Sequence, residues 1–199
     1  MMKQVVLLLF SISLLFGSED FKTIQQIYAK SYTYEQVGKY KEAIQTLSPL
    51  YKKYPKGYTL NLRLGWLFYL DKKYKDSVKY YNKASLIDTY ALEPQLGLVR
   101  NYLATYSYDR AQSISTEILK KDYYNYYGNL YMCKALIGQK KYEAAIKESK
   151  KMLTIYPTDV LFLEELFIGY KRTHNKRYQD VYKSIIILDP NNIFVRSAH

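Results

Sequence analysis

Tyr40, Tyr74, Tyr108 and Tyr142 stand 34 residues apart, each inside a variant of one phrase: GKYKEA at 38–43, KKYKDS at 72–77, YSYDRA at 106–111 and KKYEAA at 140–145. No insertion or deletion separates the four copies. A period of this length means that each copy is one supersecondary unit, unable to bury an apolar face alone and stacked on its neighbours.

Around each tyrosine, apolar and small residues recur at steps of three and four in two runs, with a polar or Gly-containing turn between them. The block 126–159 is the clearest. Asn129, Met132, Cys133 and Leu136 stripe a first helix; Tyr142, Ala145, Ser149 and Met152 stripe a second, and Pro157 closes the block. Such steps keep side chains on one helical face. Small Cys133 and Ala145 are expected where the two helices approach most closely. With only 8 Gly and 5 Pro in 199 residues, few positions break a helix, and 25 Tyr supply large amphipathic rings for packing.

The pattern resembles the tetratricopeptide repeat. In the block 58–91, Leu64, Gly65, Phe68, Ser77, Tyr81 and Ala84 fall at that family's Leu, Gly, Tyr, Ala, Phe and Ala positions, with Thr89 in place of proline. The block 24–57 carries Ile27, Ser31, Tyr34, Gly38, Ala43, Leu47, Leu50 and Pro55, with Lys30 replacing leucine. The block 92–125 keeps Leu98, Tyr102, Tyr108, Ala111 and Ile118 but has Ser115 for the aromatic and Tyr123 for the proline. A fifth block, 160–192, keeps Leu163, Leu166, Phe167 and Tyr170 and reaches Asp189-Pro190 one residue early, so a shortened turn is expected over His174–Arg177. The expected fold is all-α: a right-handed superhelical α-solenoid of about five tetratricopeptide-like hairpins over 19–192, with 193–199 as a tail.

Ahead of the repeats, Lys3 precedes an apolar run from Val5 to Phe16, then Gly17-Ser18 and acidic Glu19-Asp20. This order predicts a secretory signal peptide over 1–18 and a periplasmic or envelope location. Cleavage after Ser18 would place Phe16 at the minus-three position, and cleavage after Gly17 would place Leu15 there. Neither is small, so an uncleaved anchor stays open as the alternative.

The catalytic inventory is thin. There are two histidines, His174 and His199, and one cysteine, Cys133, with no paired metal-ligand motif and no Gly-rich phosphate loop. Neither enzyme activity nor a cofactor nor a metal is expected.

Binding is the better-supported role. The resemblance implies that first helices line a concave groove, and carrying the family's groove positions across gives Tyr32, Leu62, Trp66, Tyr69, Arg100, Lys134 and Lys171, aromatic first and cationic later. Tyr28 and Tyr32 occupy the places of the Lys and Asn that begin a carboxylate clamp in one branch of the family, so that clamp is not carried over. Lysines also gather at the turns between paired helices, with Lys72, Lys73, Lys140 and Lys141 as a candidate basic edge facing an acidic partner, an anionic membrane or an anionic polymer. The expected function is an exported scaffold of a bacterial cell-envelope assembly, binding a partner peptide or helix that bears apolar anchors and acidic residues. The alternative is a nucleic-acid-binding helical repeat, using the net charge of +12 and the tyrosines. The export signal weighs against it.

Overall fold

Residues 18–198 are described by the structure, a computed structural model. The expected export signal, apart from Ser18, lies outside the described residues. Among these the only regular elements are α-helices, none of them long and apolar enough to cross a membrane. The described residues divide into two compact units, separated between Ile87 and Asp88.

The first unit holds α1 (Ser18–Gln36), α2 (Tyr40–Lys53), α3 (Tyr58–Leu70) and α4 (Tyr74–Ile87), paired as two hairpins. Its core is Ala43, Leu47, Leu50, Leu60, Leu64 and Leu67, ringed by half-buried Ile27, Tyr34, Phe68 and Tyr80. The second unit holds α5 (Glu93–Ala104), α6 (Tyr108–Lys121), α7 (Tyr126–Gly138), α8 (Tyr142–Leu153), α9 (Val160–Arg172) and α10 (Tyr178–Leu188), paired as three hairpins, followed by α11 (Ile193–Ala198). Each repeated tyrosine is the first residue of a second helix. Ala43, Ser77, Ala111 and Ala145, three residues further on, are fully buried.

The start of each turn repeats as well. Gly38, Lys72, Tyr106, Lys140 and His174 have φ of 72°, 57°, 56°, 61° and 55°. In the second hairpin Lys72 N–H donates to Tyr69 C=O at 3.0 Å and Lys73 N–H to Phe68 C=O at 2.9 Å, satisfying two carbonyls that the helix end leaves over. The same pair of bonds recurs in all five hairpins.

The fifth turn departs from expectation. It is longer rather than shorter: five residues, 173–177, separate α9 from α10, against three, 139–141, between α7 and α8. Asn175 stabilises the added bend, its Oδ1 accepting from Arg177 N–H at 3.1 Å while its carbonyl accepts from Tyr178 N–H at 3.1 Å. The residues are taken from α10, which has 11, so the block still closes early.

Later in the chain, from α7 onward, the helices that follow an inter-hairpin loop are capped by side chains, whereas α3 and α5 start without one. Asn125 Oδ1 accepts from Gly128 N–H at 2.8 Å, Asp159 Oδ1 from Phe162 N–H at 3.1 Å, and Asn192 Oδ1 from Val195 N–H at 3.1 Å. The last of these puts α11, in the segment expected to be a tail, at the register of a further first helix. Val195 is buried there with Val181 and Ile185. Buried Asn61 and Asn129 perform one further task. Each donates its amide to two carbonyls of the preceding loop: Pro55 and Gly57 for Asn61, Tyr123 and Asn125 for Asn129.

Candidate functional site

In the first unit, Arg63 organises the face of α1 and α3 on which the expected groove residues Tyr32, Leu62, Trp66 and Tyr69 fall. Arg63 is buried, ion-paired with Glu35, bonded to Ser31 Oγ at 3.3 Å, and stacked with its guanidinium 3.8 Å from the centre of the Tyr32 ring. Glu35 also accepts from Trp66 Nε1 at 2.6 Å, and Trp66 stacks on Tyr69 at 5.7 Å. The indole N–H is therefore engaged within the unit, leaving ring area rather than a donor to face a partner. Burial pushes the Tyr28 phenol above its ordinary range, Tyr32 adds to that, and Arg63 opposes both. Tyr32 itself remains 51% exposed.

In the second unit, Arg100 Nε donates to the Tyr131 hydroxyl at 3.2 Å, and Tyr131 carries the 52% exposed ring of Tyr127 at 5.9 Å. Lys134 pairs at 3.2 Å with Glu165, a carboxylate only 4% exposed. Burial raises the Glu165 carboxyl above the usual carboxylate range, and Lys134 pulls it back. Two of the cations expected to serve a partner, Arg100 and Lys134, thus already serve neighbouring first helices.

Lys171 is placed differently. It lines a cleft of about 690 Å³ together with Ile137, Lys140, Phe167, Arg172 and Phe194. Lys140 was expected on the basic edge and Lys171 in the groove; here they share one concavity. The other edge lysines have company of their own: Lys73 pairs with Asp71 at 2.9 Å and Lys141 donates to Gln112 Oε1 at 3.2 Å, while Lys72 is exposed.

Not anticipated from the sequence are Glu35, Arg63, Tyr131, Glu165 and Phe194. A signal for three of them, Glu35, Tyr131 and Glu165, exists. Glu35 and Trp66, Arg100 and Tyr131, and Lys134 and Glu165 are each 31 residues apart, one repeat less roughly one helical turn, so residues at that separation on successive first helices meet.

No protein-family model matches the chain, and no curated protein matches its sequence. Solved structures do match. MamA 41-end from Desulfovibrio magneticus RS-1 superposes with a TM-score of 0.75 at 13% identity, over 86% of this chain and 97% of that one. MamA AMB-1 gives a TM-score of 0.67 at 15% identity, over 90% and 98% of the respective chains. YrrB, described as a TPR protein with an unusual peptide-binding site, gives a TM-score of 0.68 at 10% identity, over 86% and 89%. The protein therefore has the fold of tetratricopeptide-repeat proteins, the fold that its 34-residue period implies.

Proposed function

We infer that the chain is an exported protein-interaction scaffold of a bacterial cell-envelope assembly, whose first-helix faces receive a peptide or helix from a partner protein. The observation that carries this reading is a pair of large rings held in place yet left open. Tyr32 is half exposed and fixed from beneath by Arg63, and Tyr127 is half exposed and packed on Tyr131. A ring already ordered in the free protein loses little entropy when a partner covers it, which makes it a good anchor. The peptide-binding site named for YrrB supports the same reading.

The test is capture of envelope proteins by the full chain, repeated with Tyr32→Ala and Tyr127→Ala proteins whose helicity is unchanged. Either substitution is expected to weaken the captured partner about tenfold or more. Cell fractionation tests export independently: a cytosolic product retaining Met1 or Met2 removes the envelope from the proposal, and N-terminal sequencing is expected to begin near Ser18, Glu19 or Asp20.

A further inference from the structure

The cleft in the second unit combines concavity with a lining of positive charge. It is concave, at about 690 Å³ within the range of ligand pockets, and its lining carries Lys140, Lys171, Arg172 and His174 but no acidic residue. Two other first-helix cations are neutralised, Arg63 by Glu35 and Lys134 by Glu165, while Arg100 donates to the Tyr131 hydroxyl. Among the described residues no carboxylate pairs with Lys140, Lys171 or Arg172. Lys171 reaches only over the Phe167 ring, at 5.7 Å. Lys171 and Arg172 lie in the last turn of α9, where the helix dipole makes cations tolerable without a ligand. Like charges converging on an unneutralised concavity still leave a positive potential there, and its complement is an anion.

The remaining walls narrow the anion's class. Ile137 from α7, Phe167 and Ile168 from α9 and Phe194 from α11 give the cleft an apolar side, and Phe194 is 42% exposed. A hydrated phosphate alone would leave that side wet. A single strand of nucleic acid is best served by cations that track its backbone along a groove, whereas these are gathered at one place and bounded by Phe194. Carboxylates beside an aromatic or large aliphatic side chain satisfy both walls at once.

Resting on the interaction reading above, we propose that this cleft is the docking site for an acidic peptide segment of the partner. Its Asp or Glu carboxylates are gripped by Lys140, Lys171 and Arg172, and a neighbouring aromatic or aliphatic side chain lies against Phe194 and Phe167. The arrangement differs from a clamp at the start of the first helices: these cations come from the end of α9 and from the α7–α8 turn.

The test uses the intact chain and a phage-displayed library of random dodecapeptides, so no partner need be known. Selected peptides are expected to be enriched in Asp and Glu within a few positions of an aromatic or large aliphatic residue. They should bind the Lys171→Glu/Arg172→Glu protein at least tenfold more weakly, and Phe194→Ala should weaken them severalfold. Lys39→Glu/Lys41→Glu, with the same change of charge on the first unit, should alter affinity less than twofold. Circular dichroism and the thermal midpoint establish that each variant is folded, and exposed Arg172→Glu alone serves if the double variant is not. Selection of no peptide, selection without acidic enrichment, or an equal loss from Lys39→Glu/Lys41→Glu overturns the proposal. So does stronger binding at the cleft by a single-stranded oligonucleotide, which would assign it to phosphate and base. Envelope partners captured undiminished by the Lys171→Glu/Arg172→Glu protein would retire the cleft but leave the scaffold standing; failure of the unsubstituted chain to retain any partner would remove the scaffold itself.

Discussion

Four side chains other than glycine sit in left-handed backbone because the repeat demands it: Lys72, Tyr106, Lys140 and His174 occupy the place that Gly38 fills in the first hairpin. For an L-residue that conformation costs about 1–2 kcal/mol, partly offset by the extra unfolded-state freedom of glycine. Lys72→Gly and Tyr106→Gly are therefore expected to stabilise the protein by about 0.5–1 kcal/mol each, and Gly38→Ala to destabilise it by a similar amount, read from chemical denaturation midpoints. Cys133 offers a second check at this scale. It is fully buried, and burial pushes its thiol from an ordinary 9.0 up to about 12. The folded state thus favours the neutral thiol. That contribution is whole below pH 9 and declines as pH rises towards 12, because only the unfolded chain ionises in that window. At pH 8 a thiol reagent is expected to label Cys133 only as fast as the protein opens, and rapid labelling under native conditions would refute the packing described.

Hairpins of different composition are fitted together by compensation between helices. Gly65 in α3 lies against Tyr81 in α4 so closely that a Cβ would stand 2.8 Å from the ring, and Ser77 Oγ donates to the Gly65 carbonyl at 2.6 Å. At the same register the fourth hairpin pairs Cys133 with Ser149, Oγ to Sγ at 3.4 Å, and the third has Val99 and Ser115, both fully buried. The serine that looked like a weak repeat is matched by the valine sixteen residues earlier in the sequence. Gly65→Val should cost about 1–3 kcal/mol or more through overpacking, and adding Tyr81→Ser, which recreates the third hairpin's combination, should recover a substantial part; a double-mutant cycle measures it. Without recovery, the two positions are not filling one shared volume. The repeat and its small-residue phase were legible because steric demands recur at one spacing: Ala145 is buried and Ala144 exposed, as the stripe implied. The fifth turn was not legible, since the early Asp189-Pro190 reports only the length of the block and cannot say whether a turn or a helix gave up the residues. The pairing of Glu35 with Arg63 and of Lys134 with Glu165 escaped for another reason: groove positions taken one repeat at a time say nothing about which side chains already neutralise each other.

At the scale of the whole molecule the dominant quantity is the net charge of +12, which the ion pairs do not diminish, since each uses one charge of either sign. Composition alone could not say where that excess matters. The structure separates cations engaged at helix faces, such as Lys134, from those that line the cleft without a carboxylate, such as Lys171. The two kinds of charge predict different kinetics. Exposed lysines spread over the surface act at a distance, through a field screened over about 10 Å at 0.1 M salt, so they govern how fast an acidic ligand arrives. Cations that close on the bound carboxylates govern how long it stays. With an acidic peptide selected on the intact chain, raising salt from about 0.05 to 0.5 M is expected to slow association about tenfold or more. Neutralising Lys72 and Lys73 to Gln should lower the association rate modestly and leave dissociation unchanged. Lys171→Gln with Arg172→Gln should instead act mainly by speeding dissociation, at either salt concentration. Stopped-flow measurements at the two salt concentrations separate the rates. If the cleft variant changed association alone, Lys171 and Arg172 would be part of the diffuse field and not contacts in the bound complex.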